Sequence, residues 1–296
     1  MIRYLYSQPW LLFGLTVLFW AGNAIASRVA VGEIEPFQLV LFRWVLVAIA
    51  MWVFFGHQVR EHWQQIRPRL WWLTMIGGVG FTVFNAMFYL AGHSTTAVHI
   101  GIIQGAMPVM VLIGAFIAYR TPIKGVQVFG VAMALIGVLM VASHGNPANL
   151  VSTGLNPGDG MMLIAGAAYS FYTVMLRNRP DIPGTAFFTV MAFVAMATSL
   201  PFAIAEAMIQ RPSFPTWNGW LITLYAAIFP SCLSQLFFLR GVDLVGPGRA
   251  GVYFNLVPVF VSILGILLLG EQFAWYHAAA LVLVLAGIAL TQRGTQ

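Results

Sequence analysis

The chain alternates long apolar runs with short polar punctuation. Ten runs are long enough to cross a bilayer, since a helix rises about 1.5 Å per residue and the hydrocarbon core is about 30 Å thick. They lie at roughly 9–31, 36–55, 70–91, 97–119, 124–143, 157–177, 184–207, 217–239, 246–269 and 274–291. Turn chemistry separates several of them: Ile34-Glu35-Pro36, Arg120-Thr121-Pro122, Asp181-Ile182-Pro183 and Gly246-Pro247-Gly248. Each breaks one helix and starts the next. Thr121 suits an N-cap and Pro122 a first helical residue.

Two runs that match one another carry a proline at mid-span. One is HIGIIQGAMPVMVLIGAFIAY, from His99 to Tyr119, and the other is AGVYFNLVPVFVSILGILLLG, from Ala250 to Gly270. At a constant offset of 150, Gly101 falls on Gly251, Pro108 on Pro258, Leu135 on Leu285 and Gly137 on Gly287. The pattern divides the chain into units 1–150 and 151–296, joined by a polar loop from Ser143 to Pro157. Each unit holds five spans, an odd number, so the second enters the membrane from the opposite face. The fold class is therefore all-α integral membrane, with ten transmembrane helices arranged as two inverted-topology five-helix repeats. That is an architecture of secondary transporters.

Composition agrees. The chain has 296 residues, 60% hydrophobic and 7% charged, against about 25% charged for a soluble domain. The lipid bilayer is thus an expected partner. Net charge is +6, but the basic residues are scattered and form no nucleic-acid face. Cys232 is the one cysteine and lies in an apolar run, so no intrachain disulfide framework exists. Arg3, the following apolar run and Ala24-Ile25-Ala26 mimic a secretory leader. That run continues to Val31, however, and reads as the first span.

Loop charge sets an orientation. Arg3, Arg60, Arg67, Arg69, Arg120, Lys124, Arg177, Arg179, Arg240, Arg249 and Arg293 fall on one side; Arg28 and Arg211 fall on the other, with Glu33, Glu35, Asp159, Glu206 and Glu271. The positive-inside rule then places both termini in the cytoplasm.

Polar groups inside spans are costly and mark function or helix contacts. Phe81, Asn85 and Tyr89 share a face of the third span, and Gln235 and Phe238 one of the eighth. Asn85 and Gln235 match at the 150 offset and either line a cavity or glue helices. Trp20 and Asn23 in the first span correspond to Tyr169 and Tyr172 in the sixth, and these either form an aromatic pocket or pack helices. His99 and Gln104 precede Pro108, while Tyr253 and Asn255 precede Pro258. Each proline frees the carbonyl four residues back, that of Gln104 or Phe254, to hold a substrate amine or to be relieved locally. Arg43 meets a substrate carboxylate, pairs with Glu33 or Glu35, or caps outer carbonyls, with a structural role expected. Glu271 is expected to cap the last helix. Gly77, Gly78, Gly80, Gly101 and Gly251 allow helices to slide. All acidic residues lie at span ends or in loops, and His99 is expected near the cytoplasmic end of its helix. Facilitated rather than proton-driven movement is therefore expected.

The broken helix at Pro258, the Leu269-Gly270-Glu271 turn, the Leu285-Ala286-Gly287-Ile288 ending and the Phe42-Arg43 pair resemble the drug/metabolite transporter superfamily. The resemblance is to its ten-helix EamA-type exporters, most of all the YddG-type amino-acid exporters. The first half departs from the pattern, with Arg120-Thr121 replacing the acidic turn. The resemblance implies export of small metabolites through a central cavity lined mainly by spans three, four, eight and nine, with help from one and six. On this reading the substrate is a small molecule, such as an aromatic amino acid, moved by alternating access. No cofactor is expected, and a monomer is the expected state. A membrane enzyme is disfavoured because no H-E-x-x-H, G-x-S-x-G or cysteine motif is present. The resemblance also implies a bacterial cytoplasmic (inner) membrane location. A passive channel, a drug or other metabolite exporter of the same fold, and a proton-coupled antiporter stay open as alternatives.

Overall fold

The computed structural model describes residues 7–120, 123–152, 154–209, 214–246, 253 and 255–293. Within these, every regular element is helical. Nine helices are long and apolar enough to cross a membrane: α1 (Pro9–Val29), α2 (Pro36–Glu61), α3 (Trp63–Ala91), α4 (Ala97–Tyr119), α5 (Gly125–Ala142), α6 (Pro157–Asn178), α7 (Gly184–Ile209), α8 (Trp217–Val245) and α10 (Trp275–Arg293, apolar through Gln292). The described part of α9 is shorter, Val257–Leu269. The residues expected to lead into it, among them Pro247, Gly248, Arg249, Gly251 and Phe254, lie outside the described residues, as do Arg3 and Arg211.

Proline starts α1, α2 and α6, where its missing N–H costs nothing. Thr121 and Pro122 are not described, and α5 begins at Gly125 with Lys124 as its N-cap. The ends of α4 and α9 repeat one another. Arg120 closes α4 in the left-handed region (φ 53°), and Gly270 closes α9 in the same way (φ 64°).

Packing repeats under the same exchange of halves. Helix α1 packs on α8 and α9, and α6 packs on α3 and α4, while α2 pairs with α7, α5 with α10, and α4 with α9. Adding or subtracting five from every helix number returns the same set, as a pseudo-two-fold axis requires. The α5–α10 seam shows it in detail. A Cβ on Gly130 would lie 2.5 Å from the Gly287 carbonyl, and one on Gly287 would lie 2.5 Å from the Gly130 carbonyl. Such close backbone approach is how helices gain contact in lipid, where hydrophobic driving force is lost.

The two ends of the bundle differ. Where α2, α4, α6, α8 and α10 begin, carboxylates tie helix starts together. Glu206 of α7 accepts from the Phe37 and Gln38 N–H groups (3.2 and 3.0 Å), and Glu271 accepts from those of Ala97 and Val98 (2.7 and 2.9 Å). Glu33 accepts from the hydroxyl of Thr216 and the amide of Asn218. These contacts place negative charge on positive helix ends. Glu271 thus caps α4, not the last helix as the sequence suggests. Its sequence neighbour α10 takes a different cap: His277 Nδ1 accepts from the Ala274 N–H.

Candidate functional site

Helices α3 and α8 are the least regular, and they make two facing walls. Each contains a π-helical stretch at matching places, Gly78–Val83 and Ala227–Leu233. In α8 two hydroxyls serve the widened turns: Ser231 donates to the Ala226 carbonyl (2.6 Å) and Ser234 to that of Phe229 (2.9 Å), each five residues back. Such bulges frequently sit at functional sites. Here Gly80 admits the Tyr172 ring, for a Cβ would lie 2.4 Å from that residue's Cβ. The Pro230 carbonyl accepts from Trp20 Nε1 (3.2 Å).

Between these walls lies a cavity of about 480 Å³, within the ~300–1,000 Å³ typical of small-molecule sites. It runs from Arg43 and Asn85 to the exposed Arg179 and to Gly184 and Val242. It therefore opens toward the end carrying the basic loops. The other end is shut by close contacts. A Cβ on Gly92 would lie 2.3 Å from the Ser27 carbonyl, and one on Gly219 would lie 2.4 Å from that of Glu33. Arg28 bridges the same end, donating to the Gly92 carbonyl and lying 3.9 Å from Glu271.

Of the residues singled out in the sequence, Trp20, Asn23, Phe81, Asn85, Gln104, Tyr169, Tyr172, Gln235 and Phe238 border this cavity. Tyr89, His99, Tyr253 and Asn255 do not. Tyr89 sits behind the wall, fully buried. Tyr253 stacks on Phe13 (centroids 4.6 Å apart), away from the hollow. The Asn255 amide oxygen is buried and meets no partner among the described residues.

His99 lies opposite to expectation. Helix α4 runs from the acidic end to Arg120, so its third residue faces the acidic end. There His99 Nδ1 meets both oxygens of Asp159 (3.2 and 3.1 Å), and the Thr95 hydroxyl donates to Asp159. Both side chains of the pair are buried. Asp159 is at a span end, as read, yet it is no surface group. The chain therefore does hold an acid away from solvent, paired with a titratable imidazole, and the expected lack of embedded acids does not hold. The helices around the cavity also differ from those the resemblance implies. Helices α2 and α7 contribute, through Arg43, Trp44, Phe187 and Phe188, whereas no described residue of α9 does.

Arg43 is the centre of the polar wall. It is the eighth residue of α2, so it lies about 10 Å in from the acidic end. It is 5% exposed. It pairs with neither Glu33 nor Glu35. Nε donates to Ser231 Oγ (2.6 Å), and Nη1 donates to Asn85 Oδ1 (2.7 Å) and Tyr89 OH (2.8 Å). Tyr89 in turn donates to Asn23 Oδ1 (2.8 Å). One guanidinium thus joins α2, α3 and α8, and through Tyr89 reaches α1. A charge at such depth costs about 2.5–3.5 kcal/mol on insertion scales, and every partner here is neutral. Sequence reasoning missed Trp44, Phe187 and Phe188. Apolar residues on an apolar span carry no signal of which neighbour they face.

A helical bundle with a repeat-related hollow, shut at one end and open at the other, defines a multi-pass membrane transporter. Residues 8–143 and 156–293 match the EamA-like transporter family, and the chain belongs to that family. Relatives include the uncharacterized transporter YyaM of Bacillus subtilis, 24% identical over 96% of this chain and 92% of that protein. The uncharacterized inner membrane transporter YedA of Escherichia coli is 22% identical over 96% and 90%. A probable amino-acid metabolite efflux pump of Escherichia coli is 24% identical over 93% and 91%. A chain of known crystal structure superposes with a TM-score of 0.63 at 18% identity, covering 95% of this chain and 94% of that one, which shows the shared fold.

Proposed function

We propose that the protein exports small amphipathic metabolites, amino acids with aromatic side chains among them, from the cytoplasm by alternating access. One observation carries this: the cavity combines a broad aromatic lining (Trp20, Phe81, Tyr169, Tyr172, Phe238) with a single buried cation and several amides. Rings stack or meet edge to face with such walls, and the polar cluster fixes the other end of the molecule. The efflux pump relative, at low identity, supports the same substrate class. Units 1–150 and 151–296 act as the two moving repeats, supported by the reciprocal packing of their helices. With the basic loops in the cytoplasm, the state described faces inward. Both termini then lie in the cytoplasm, and the chain works without a partner subunit or cofactor.

The test is counterflow into liposomes loaded with unlabelled substrate, using a panel of amino acids and cationic drugs. Saturable, trans-stimulated uptake of aromatic amino acids is the expected result. Movement of the cationic drugs alone would contradict the substrate assignment. Unsaturable flux would contradict a carrier altogether.

A further inference from the structure

We infer that the Arg43–Trp44 step of α2 is a carboxylate site, and that Gln104 of α4 receives the amine of the same substrate. This rests on the transport reading above and names the chemistry by which that cavity selects. A guanidinium has five N–H donors. Three of those of Arg43 are engaged, from Nε and Nη1, and all go to neutral oxygens. None runs from Nη2 to a described residue, and Arg43 borders the cavity. Its charge therefore has no carboxylate partner among the described residues, while the three bonds hold it in one orientation.

The next residue supplies a further donor. Trp44 also borders the cavity, and its Nε1 is buried with no partner among the described residues. The Arg43 Cζ lies 5.3 Å from the Trp44 ring. The guanidinium lies over the face of that ring, and the proposed carboxylate takes charge-assisted bonds from Arg43 and a further one from the indole N–H.

The α4 lining of the hollow has the opposite polarity. Gln104 is 6% exposed, and its Oε1 is a buried acceptor with no partner among the described residues. It is the eighth residue of α4, as Arg43 is of α2, and both helices begin at the acidic end. The two side chains therefore stand at similar depth. Buried donors and acceptors without partners are exceptions that call for an explanation. A zwitterion satisfies all of them at once, its carboxylate on Arg43 and Trp44 and its ammonium on Gln104. A cationic drug satisfies only Gln104 and meets the Arg43 charge with its own.

The experiment is counterflow of phenylalanine, phenylalaninamide and phenethylamine by the wild-type protein and by Arg43→Gln, Arg43→Lys, Trp44→Phe and Gln104→Leu. Wild type should move phenylalanine and discriminate against the other two by about 10-fold or more, as loss of a charged hydrogen-bonding partner implies. Arg43→Gln should raise the phenylalanine KM by about 10-fold or more. Arg43→Lys should recover part of that loss, and Trp44→Phe, which keeps a ring, should raise KM severalfold. Gln104→Leu should raise the phenylalanine KM severalfold while leaving in place the discrimination against phenylalaninamide, which keeps the amine. If wild type carries the amine or the amide as well as phenylalanine, the carboxylate site is overturned while transport stands. This comparison needs no variant that folds. If none of the three compounds moves but other panel members do, the site is likewise overturned. If nothing moves, the transport reading fails with it.

Discussion

Arg43 is stabilised by neutral partners, so each partner is worth more than an exposed hydrogen bond. Tyr89→Phe removes the hydroxyl that accepts from Arg43 and donates to Asn23. It leaves one buried donor and one buried acceptor unmet, a loss of about 1–3 kcal/mol for each. The expected outcome is a clearly lower melting temperature in detergent with the cavity lining intact. An unchanged melting temperature would mean the network is not structural. The sequence made Asn23, Asn85 and Gln235 visible because polar side chains stand out on apolar spans. The partners of Arg43 were not visible. Helical periodicity tells which residues share a face, but Ser231 lies 188 positions away, and nothing local says that α8 passes α2. The same limit produced the expected pairing with Glu33 and Glu35, which are near in sequence, whereas Arg43 bonds to Ser231, Asn85 and Tyr89.

At the scale of the helix, two irregularities carry the account. The first is the break in α4. Ala106 donates to the Ile103 carbonyl (3.0 Å), a tightened turn, and Pro108 is the second residue of the helix that follows. Leu256 donates to the Tyr253 carbonyl (3.0 Å) just before Pro258 in the same way. If these breaks let half-helices swing, Pro108→Ala and Pro258→Ala together should lower the counterflow rate without abolishing expression. An unchanged rate would remove the breaks from the mechanism. The prolines and their offset were plain in the sequence. The π-helical stretches of α3 and α8 were not. Their signals, the glycines around Gly80 and the mid-span Pro230, fit sliding contacts or an ordinary kink equally well in the sequence.

The second irregularity is the set of carboxylates at helix starts. Glu271→Gln keeps the shape of the cap on Ala97 and Val98 but removes its charge, and with it the attraction to Arg28. Such an interaction contributes about 0.3–1 kcal/mol in exposed settings and up to about 2 kcal/mol when partly buried. The acidic end should then open more often. In a Cys232→Ser background, a cysteine placed at Ser27, buried against Gly92 at this end, should react faster with a thiol reagent in the Glu271→Gln variant. Equal rates would show that the cap does not hold this end shut.

On the scale of the whole molecule, the topology was legible because two facts in the sequence agree. An odd number of spans per half forces inversion, and a constant offset aligns prolines, glycines and apolar positions. The reciprocal packing of α1 on α8 and α9, and of α6 on α3 and α4, gives that inversion its physical form. Each half contributes walls to the other half's side of the cavity, so neither encloses it alone. Helices α2 and α7 could not be placed from sequence, because a pair that crosses the pseudo-axis has no marker beyond being apolar.

Alternating access requires that this cavity, open now toward the basic end, open in turn toward the acidic end. A single cysteine at Gln235, which borders the cavity, tests it in the Cys232→Ser background with a membrane-impermeant thiol reagent applied to one face at a time. The account predicts labelling from either face, with transported substrate slowing it from both. Labelling from the basic face alone, whatever substrate or gradient is present, would contradict it.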